Sequence, residues 1–476
     1  MNSTHRRHTI TGCVALTGLL FMGACDVTNP GPVQDAFLSQ KESHEALVNG
    51  SGRRLLEAMN FISYTSALPA REIFPGGQTG AHGHDVLVQG GYLEPGSFDG
   101  HFNDAVQARF VAETALDLFA EVEGTEDEAE PEVIQQAMVW AGYANRVLGE
   151  NWCQAVFDGG EAQPGSVYMT RAEEHFTNAI NNGTDPELVL AARAGRAQVR
   201  VWLGDWDGAE TDAGAITDES WEFALNSVNQ DPPTRNRLYY ANADAPYRGY
   251  TMWFTYYGGS DSDLEGQDPS LPEFDGYYEL TGDPRVSVLP QSETVPFSNA
   301  ALQGYGQTPW LNQEKYTGGG DDFRLASYDE MRLIEAEAAL NDGDWPEAMD
   351  IIGDLREGIE SDNGGQLDRT PPDVFGQLPG WDPLPPASDV PTAMSYLMRE
   401  RAIELWGEAR RLGDLRRWED GQGLGGDVRR PPFELVSEVF DDAKAAADQR
   451  GGPDRLRCFD IPDDEREANP NIPTVN

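Results

Sequence analysis

Apolar residues recur at helical spacing over most of the chain. Between residues 42 and 61, Ala46, Leu47, Leu55, Leu56 and Met59 fall on spacings that give a helix one buried face. From 69 to 100, glycine, proline and histidine interrupt the period and predict a long surface loop. Alanine-rich amphipathic runs resume at 102–120 and again from 131 through 149, with the acidic stretch 121–130 between them. Two paired helices are the expectation.

The pairing repeats. Gly204-Asp205-Trp206-Asp207-Gly208-Ala209 returns as Gly343-Asp344-Trp345-Pro346-Glu347-Ala348, each time after an alanine-rich run and before another helical one. Glycine can end the first helix, aspartate can cap the next, and the alanine lets two helices approach closely. Pro346 suits a first turn, where its missing N–H costs nothing. Ala172, Phe176 and Ala179 carry the small-aromatic-small spacing of a tetratricopeptide (TPR) second helix. The copies are degenerate and far apart. They predict TPR-like helix pairs, about 102–220 and 324–360, set in a larger mostly α fold rather than a regular solenoid. Between about 221 and 320 the helical period fades, and Tyr, Gly, Pro and Asp dominate, as in Tyr239-Tyr240, Trp253 to Tyr257 and Tyr277-Tyr278. That stretch predicts an irregular insertion with short strands, the kind of segment that carries binding sites. A second loop-rich stretch runs over 364–391.

The amino terminus adds a location. A basic and polar start (His5, Arg6, Arg7, His8) precedes an apolar run over 14–22, which reads as a secretory signal and is too short to span a bilayer. It ends in Met22-Gly23-Ala24-Cys25, which resembles the lipobox of bacterial lipoproteins. By that resemblance residues 1–24 are removed, Cys25 carries the acyl chains, and 25–40 form a tether. The alternative is an ordinary secretory signal, with Cys25 a plain thiol. Removal of the leader takes Cys13 with it, and lipidation uses Cys25, so Cys153 and Cys458 are left over. An even remainder in an oxidising compartment suggests a disulfide, although two separate buried thiols fit the sequence as well.

A chain of 476 residues with 39% hydrophobic and 10% aromatic content can bury a sizeable core. Its 34 basic and 81 acidic residues give a formal net charge of -47. Such a field repels phosphate backbones, which removes nucleic acid as a partner, and it suits a solvated surface in salty surroundings.

Three later segments resemble the SusD/RagB family of outer-membrane nutrient-binding lipoproteins. Tyr328-Asp329-Glu330-Met331-Arg332-Leu333-Ile334-Glu335-Ala336-Glu337-Ala338 is similar to that family's Y-x-E-M-x-L-I-x-A-E-A helix. Glu400-Arg401-Ala402-Ile403-Glu404-Leu405, continuing through Glu408 to Asp414-Leu415-Arg416-Arg417-Trp418, is similar to its E-R-x-x-E-L…D-L-R-R-W signature. Ile461-Pro462 with Glu465 and Ala468-Asn469-Pro470 resembles its closing I-P-x-x-E…N-P. The sequence departs from the pattern at Ser327, where arginine is usual, and at Gly407 and Gly413, where aromatic residues are usual. The resemblance implies one SusD-like domain over 41–476, with its signature region at 395–476. It also implies a SusC-like TonB-dependent transporter as partner, a glycan or peptide ligand, and a place on the outer membrane, held by the lipid. Read as a single helix, Glu400, Arg401, Glu404, Glu408 and Arg411 stand three or four residues apart and can form exposed intrahelical ion pairs. Each such pair is worth about 0–1 kcal/mol.

Enzyme signatures are missing from the sequence: no phosphate-binding glycine loop, no Gly-x-Ser-x-Gly elbow and no His-Glu-x-x-His occur. No catalytic residue, cofactor or metal site is therefore expected. Among so many acids a pair of candidate glycosidase carboxylates carries no weight. His82-Gly83-His84-Asp85 and the calcium-loop-like Asp261 to Gly266 read as loops, the latter because Pro272 stands where the bidentate glutamate belongs. Aromatic rings are the better clue, since sugars present C–H faces that stack on flat rings. Trp253, Tyr256, Tyr257 and Trp310 are the candidate ligand-binding residues. A TPR-like scaffold for a protein partner and, further off, a surface glycoside hydrolase are the competing readings.

Overall fold

The computed structural model describes residues 35–76, 99–243, 248–267, 273–278, 283–302, 306–362, 386–427 and 457–473. Cys13, Cys25 and the His82-to-Asp85 stretch lie outside them.

The helical period materialises as a layered array. A short turn, α1 (Asp35–Leu38), leads into α2 (Lys41–Ala67), followed by α3 (Asp99–Glu121), α4 (Pro131–Asn151), α5 (Ser166–Asn181), α6 (Pro186–Leu203) and α7 (Trp206–Ala213). After the insertion come α8 (Tyr328–Asn341), α9 (Trp345–Asp362), α10 (Val390–Glu404), α11 (Arg411–Arg417) and α12 (Asp463–Ala468). Neighbours in sequence pack as pairs: α2 on α3, α3 on α4, α4 on α5, α5 on α6 and α8 on α9. α2 outruns the apolar stripe that announced it. Near its end two buried hydroxyls are satisfied inside the helix: Thr65 donates to the Phe61 carbonyl at 2.8 Å and Ser66 to that of Ile62 at 2.7 Å.

The two Gly-Asp-Trp turns act as their chemistry predicts. Gly204 ends α6 at φ 75, and the Asp205 carboxylate accepts the Gly208 N–H at the start of α7. Gly343 stands at φ 83, and Asp344 accepts the Glu347 N–H at 3.3 Å. Phe176 is fully buried between α4 and α6, where Gly142 and Gly195 face its ring; a Cβ at either position would run into it. Tyr143 meets the same ring edge-on at 5.0 Å. One aromatic knob thus locks three helices, with the two glycines supplying the hole.

The insertion leaves the array and returns to the same place. Glu222–Leu225 pairs antiparallel with Phe323–Ser327, and the Tyr328 N–H donates to the Trp221 carbonyl at 3.0 Å. With its ends zipped together, α7 packs directly on α8, so the array continues across a gap of more than a hundred residues. Between the zipped ends the described residues form short two-stranded pairs. Val288–Leu289 lies on Asn312–Gln313, Phe297–Leu302 on Gly306–Pro309, and Tyr250–Thr251 on the distant Phe74–Pro75.

The signature region departs from its reading as a single helix with exposed ion pairs. α10 stops at Glu404, and the chain turns through Gly407 (φ 72) and Ala409 (φ 59) before α11 begins. Glu400, Arg401, Glu404, Glu408 and Arg411 are all buried. Their partners are mostly on other elements. Arg356 of α9 reaches Glu400 at 2.9 Å, Arg401 reaches Asp414 of α11 at 2.9 Å, and Arg324 of the closing strand reaches Glu404 at 3.0 Å and Glu408 at 2.6 Å. The reason is tertiary: α10 is wrapped on all sides, so its charges meet across elements instead of along one helix.

Cys153, just past α4, is joined to Cys458 by a disulfide with Cα atoms 5.4 Å apart. Backbone bonds from Phe459 N–H to the Asn151 carbonyl and from Cys153 N–H to the Phe459 carbonyl hold the same junction. Among the described residues no helix is long and apolar enough to cross a membrane.

Candidate functional site

The aromatic residues of the insertion fall into two groups. Trp253 is fully buried; its Nε1–H donates to Gln267 Oε1 at 2.7 Å, and Phe74 meets it edge-on at 5.2 Å. Tyr256, 5% exposed, stacks on Tyr277 with ring centres 5.5 Å apart. Tyr257, also fully buried, donates its hydroxyl to the Ala402 carbonyl of α10 at 2.8 Å. None of these three rings offers a face to solvent, so they brace the insertion against the frame, contrary to the expectation from the sequence. Clustered aromatics in a loop-rich segment have to build that segment's own small core, and sequence spacing does not tell such rings from ligand rings.

Trp310 is less buried than these three. It is half-buried beside the hairpin Phe297–Leu302/Gly306–Pro309, held by its N–H to the Pro296 carbonyl at 2.9 Å. The guanidinium carbon of Arg248 lies 5.6 Å from the centre of its ring. Arg248 itself has a φ of 35, in the left-handed region that disfavours side chains. No motif announced Arg248, which stands far from Trp310 in sequence. Nearby, Asp261 to Gly266 is a loop in which Asp261 Oδ1 caps the Asp263 N–H at 2.8 Å.

This surface rides on a buried electrostatic clamp. Arg285 and Lys315 of the insertion reach Glu400 at 2.8 Å and Glu408 at 2.9 Å. Burial alone would raise the Glu400 carboxyl, but Arg399, Arg285 and Arg356 hold it well below the usual carboxylate range. The clamp keeps the loop-rich layer in one position on the helices.

A family model, the SusD family, matches residues 200–474. The chain belongs to the SusD family. Solved structures with the same fold include a SusD-like carbohydrate binding protein from Bacteroides vulgatus, at 15% identity and TM-score 0.57, covering 92% of this chain and 99% of that one. A SusD superfamily protein from Bacteroides fragilis shows 11% identity and TM-score 0.58, with 91% and 98% covered. A laminarin binding SusD-like protein shows 13% identity and TM-score 0.54, again with 91% and 98% covered. No curated relative matches the sequence significantly. The mostly α SusD-like fold, with TPR-like pairs as scaffold and an irregular insertion, is thus the architecture of this chain.

The SusD positions occupied by glycine here have a physical explanation. A Cβ on Gly413 would stand 2.9 Å from the Trp202 ring, so Trp202 of α6 already fills that space. Gly407 lies at φ 72, with Leu238 and Tyr316 against it. Ser327 caps α8 by accepting the Glu330 N–H at 3.3 Å.

Proposed function

We propose that this SusD-family protein captures an oligosaccharide at the bacterial surface and passes it, unaltered, to a SusC-like TonB-dependent transporter of the outer membrane. Cys25 is the proposed lipid anchor, which would hold the protein at that membrane. Peptide is the other ligand class that such a surface suits. The observation that carries the reading is Trp310: a half-exposed indole on a loop layer clamped to a rigid frame, the arrangement that gives a sugar's C–H face a preorganised platform. Membership of the SusD family and the carbohydrate binding named for two of the similar structures support it.

The test is Trp310→Ala, measured by calorimetry against a panel of glycans and peptides. A loss of about tenfold in affinity, about 1.4 kcal/mol, is expected for the bound glycan. Unchanged affinity for every bound glycan would remove Trp310 from the site.

A second reading rests on a cavity of about 660 Å³ between α3, α4 and α5. Its floor includes Leu116, Phe119, Ile134 and Met138, and Glu123, Glu128 and Glu174 line it as well. A groove of that kind fits a scaffold role, which co-purification with a protein partner in the absence of glycan binding would favour.

A further inference from the structure

We propose that the Trp310 surface takes an acidic saccharide, with the Arg248 guanidinium meeting a carboxylate or sulfate on the sugar that stacks on the indole. The inference rests on the carbohydrate reading above and adds the charge of the ligand.

Arg248 stands apart from the arginines of the frame. In a chain with 81 acidic and 34 basic residues, a guanidinium has carboxylates in abundance. Arg285, Arg324, Arg356, Arg399, Arg401, Arg410 and Arg417 all reach one. Arg416 and Arg466 reach backbone carbonyls instead. Among the described residues, no carboxylate or carbonyl partners the Arg248 guanidinium, and its Nε is buried without a hydrogen bond. A buried donor left unmet costs free energy that a ligand oxygen would return.

Arg235 and Arg237 share part of this character, lying over Tyr240 at 4.0 Å and Phe61 at 3.9 Å. Arg237 Nε is likewise buried without a hydrogen bond, but Arg237 lies over Phe61 with the Asp104 carboxylate in its field, and the Arg235 ring contact is to Tyr240. Arg248 has the half-exposed tryptophan.

The backbone at Arg248 is held in place rather than relaxed. On its carboxyl side the Gly249 N–H donates to the Ala241 carbonyl at 2.7 Å, and the Gly249 carbonyl accepts from Gly76 N–H at 2.7 Å. Gly76 comes so close that a Cβ there would stand 2.9 Å from the Arg248 carbonyl oxygen and 2.8 Å from Ser298 Cβ. These contacts sustain a left-handed arginine that would otherwise relax, and such strain concentrates at ligand sites. The planar guanidinium offers paired N–H donors matched to the two oxygens of a carboxylate or sulfate. Long-range repulsion from the other acids dies away beyond a Debye length of about 8 Å at physiological salt, so contact chemistry at Arg248 decides.

The experiment uses the full-length mature protein and matched glycan pairs: polygalacturonate with its methyl ester for a carboxylate, and dextran sulfate with dextran for a sulfate. The expected result is binding of one acidic member about tenfold tighter than its neutral partner. Which pair shows the preference identifies the anion. Arg248→Gln should erase the preference, bringing the affinities for the acidic and neutral members together, with a thermal melt checking that the variant is folded. Arg248→Lys, which keeps the charge and loses the paired donors, should retain only part of it. Equal affinity for acidic and neutral members, or a preference that survives Arg248→Gln, overturns the inference and leaves the carbohydrate reading standing. Absence of binding to any glycan overturns both.

Discussion

Arg285 in the insertion donates to Glu400 of α10 at 2.8 Å, and this buried contact joins the loop-rich layer to the helical frame. Glu400 also accepts from Arg356 at 2.9 Å and from Arg399 at 2.6 Å, so one carboxylate holds three guanidinium groups from three parts of the chain. The arrangement fixes where the loop-rich layer sits, and with it Trp310.

Replacing Glu400 by Gln should leave those guanidinium groups buried without their counter-charge. Loss of one partner of a buried ion pair costs about 3–5 kcal/mol, which chemical denaturation would register directly. The Glu400 carboxyl lies below its unfolded value of 4.5, so its contribution is complete above that pH and is lost as the pH falls through the lowered folded value. The acid limb of the stability profile should therefore be shallower in the variant. An unchanged midpoint and acid limb would show that the clamp adds nothing to stability.

Glu72 predicts the opposite pH dependence. Its Oε1 accepts the Gly407 N–H at 3.1 Å, while Oε2 is buried without a partner. Burial pushes this carboxyl up from 4.5 to about 7, against the pull of Arg411. Between those values the native state keeps a proton that the unfolded chain releases, so stability falls as the pH rises through the window. Glu72→Gln keeps the acceptor for Gly407 and removes the ionisation penalty. It should be more stable than the parent at about pH 8, by up to roughly 3 kcal/mol, and little changed at about pH 4. Thermal melts at the two pH values distinguish this from a pH-independent effect.

Phe176 and Gly195 form a coupled pair. Phe176→Ala should cost about 3–5 kcal/mol through the cavity it leaves. Gly195→Ala should cost about 1–3 kcal/mol, because its new methyl meets the ring of Phe176. In the double variant the methyl enters vacated space, so the combined loss should fall well short of the sum. Strict additivity in denaturant titrations would contradict the knob-and-hole packing.

Much of the frame could be read in advance because helices announce themselves locally. The stripe in α2, the alanine runs of α3 and α4, and the Gly-Asp-Trp turns all rest on contacts within a few residues, which sequence spacing encodes. The candidate site was less legible. Trp253, Tyr256 and Tyr257 carry the same residue chemistry as Trp310, and only packing against Gln267, Tyr277 and Ala402 separates framework from surface. Arg248 left no trace, because its relation to Trp310 spans strands that pair across long stretches of chain.

The sequence by itself determined the helix pairs, their caps, the SusD signature and the acidic balance, since periodicity, capping and charge are properties of short segments and of composition. Tertiary structure alone decided that the array closes across the insertion, that the signature charges are buried and meet between elements, and which of the insertion's candidate aromatic residues stays partly exposed. Those outcomes depend on which surfaces lose water when distant segments meet, and burial is a property of the folded whole.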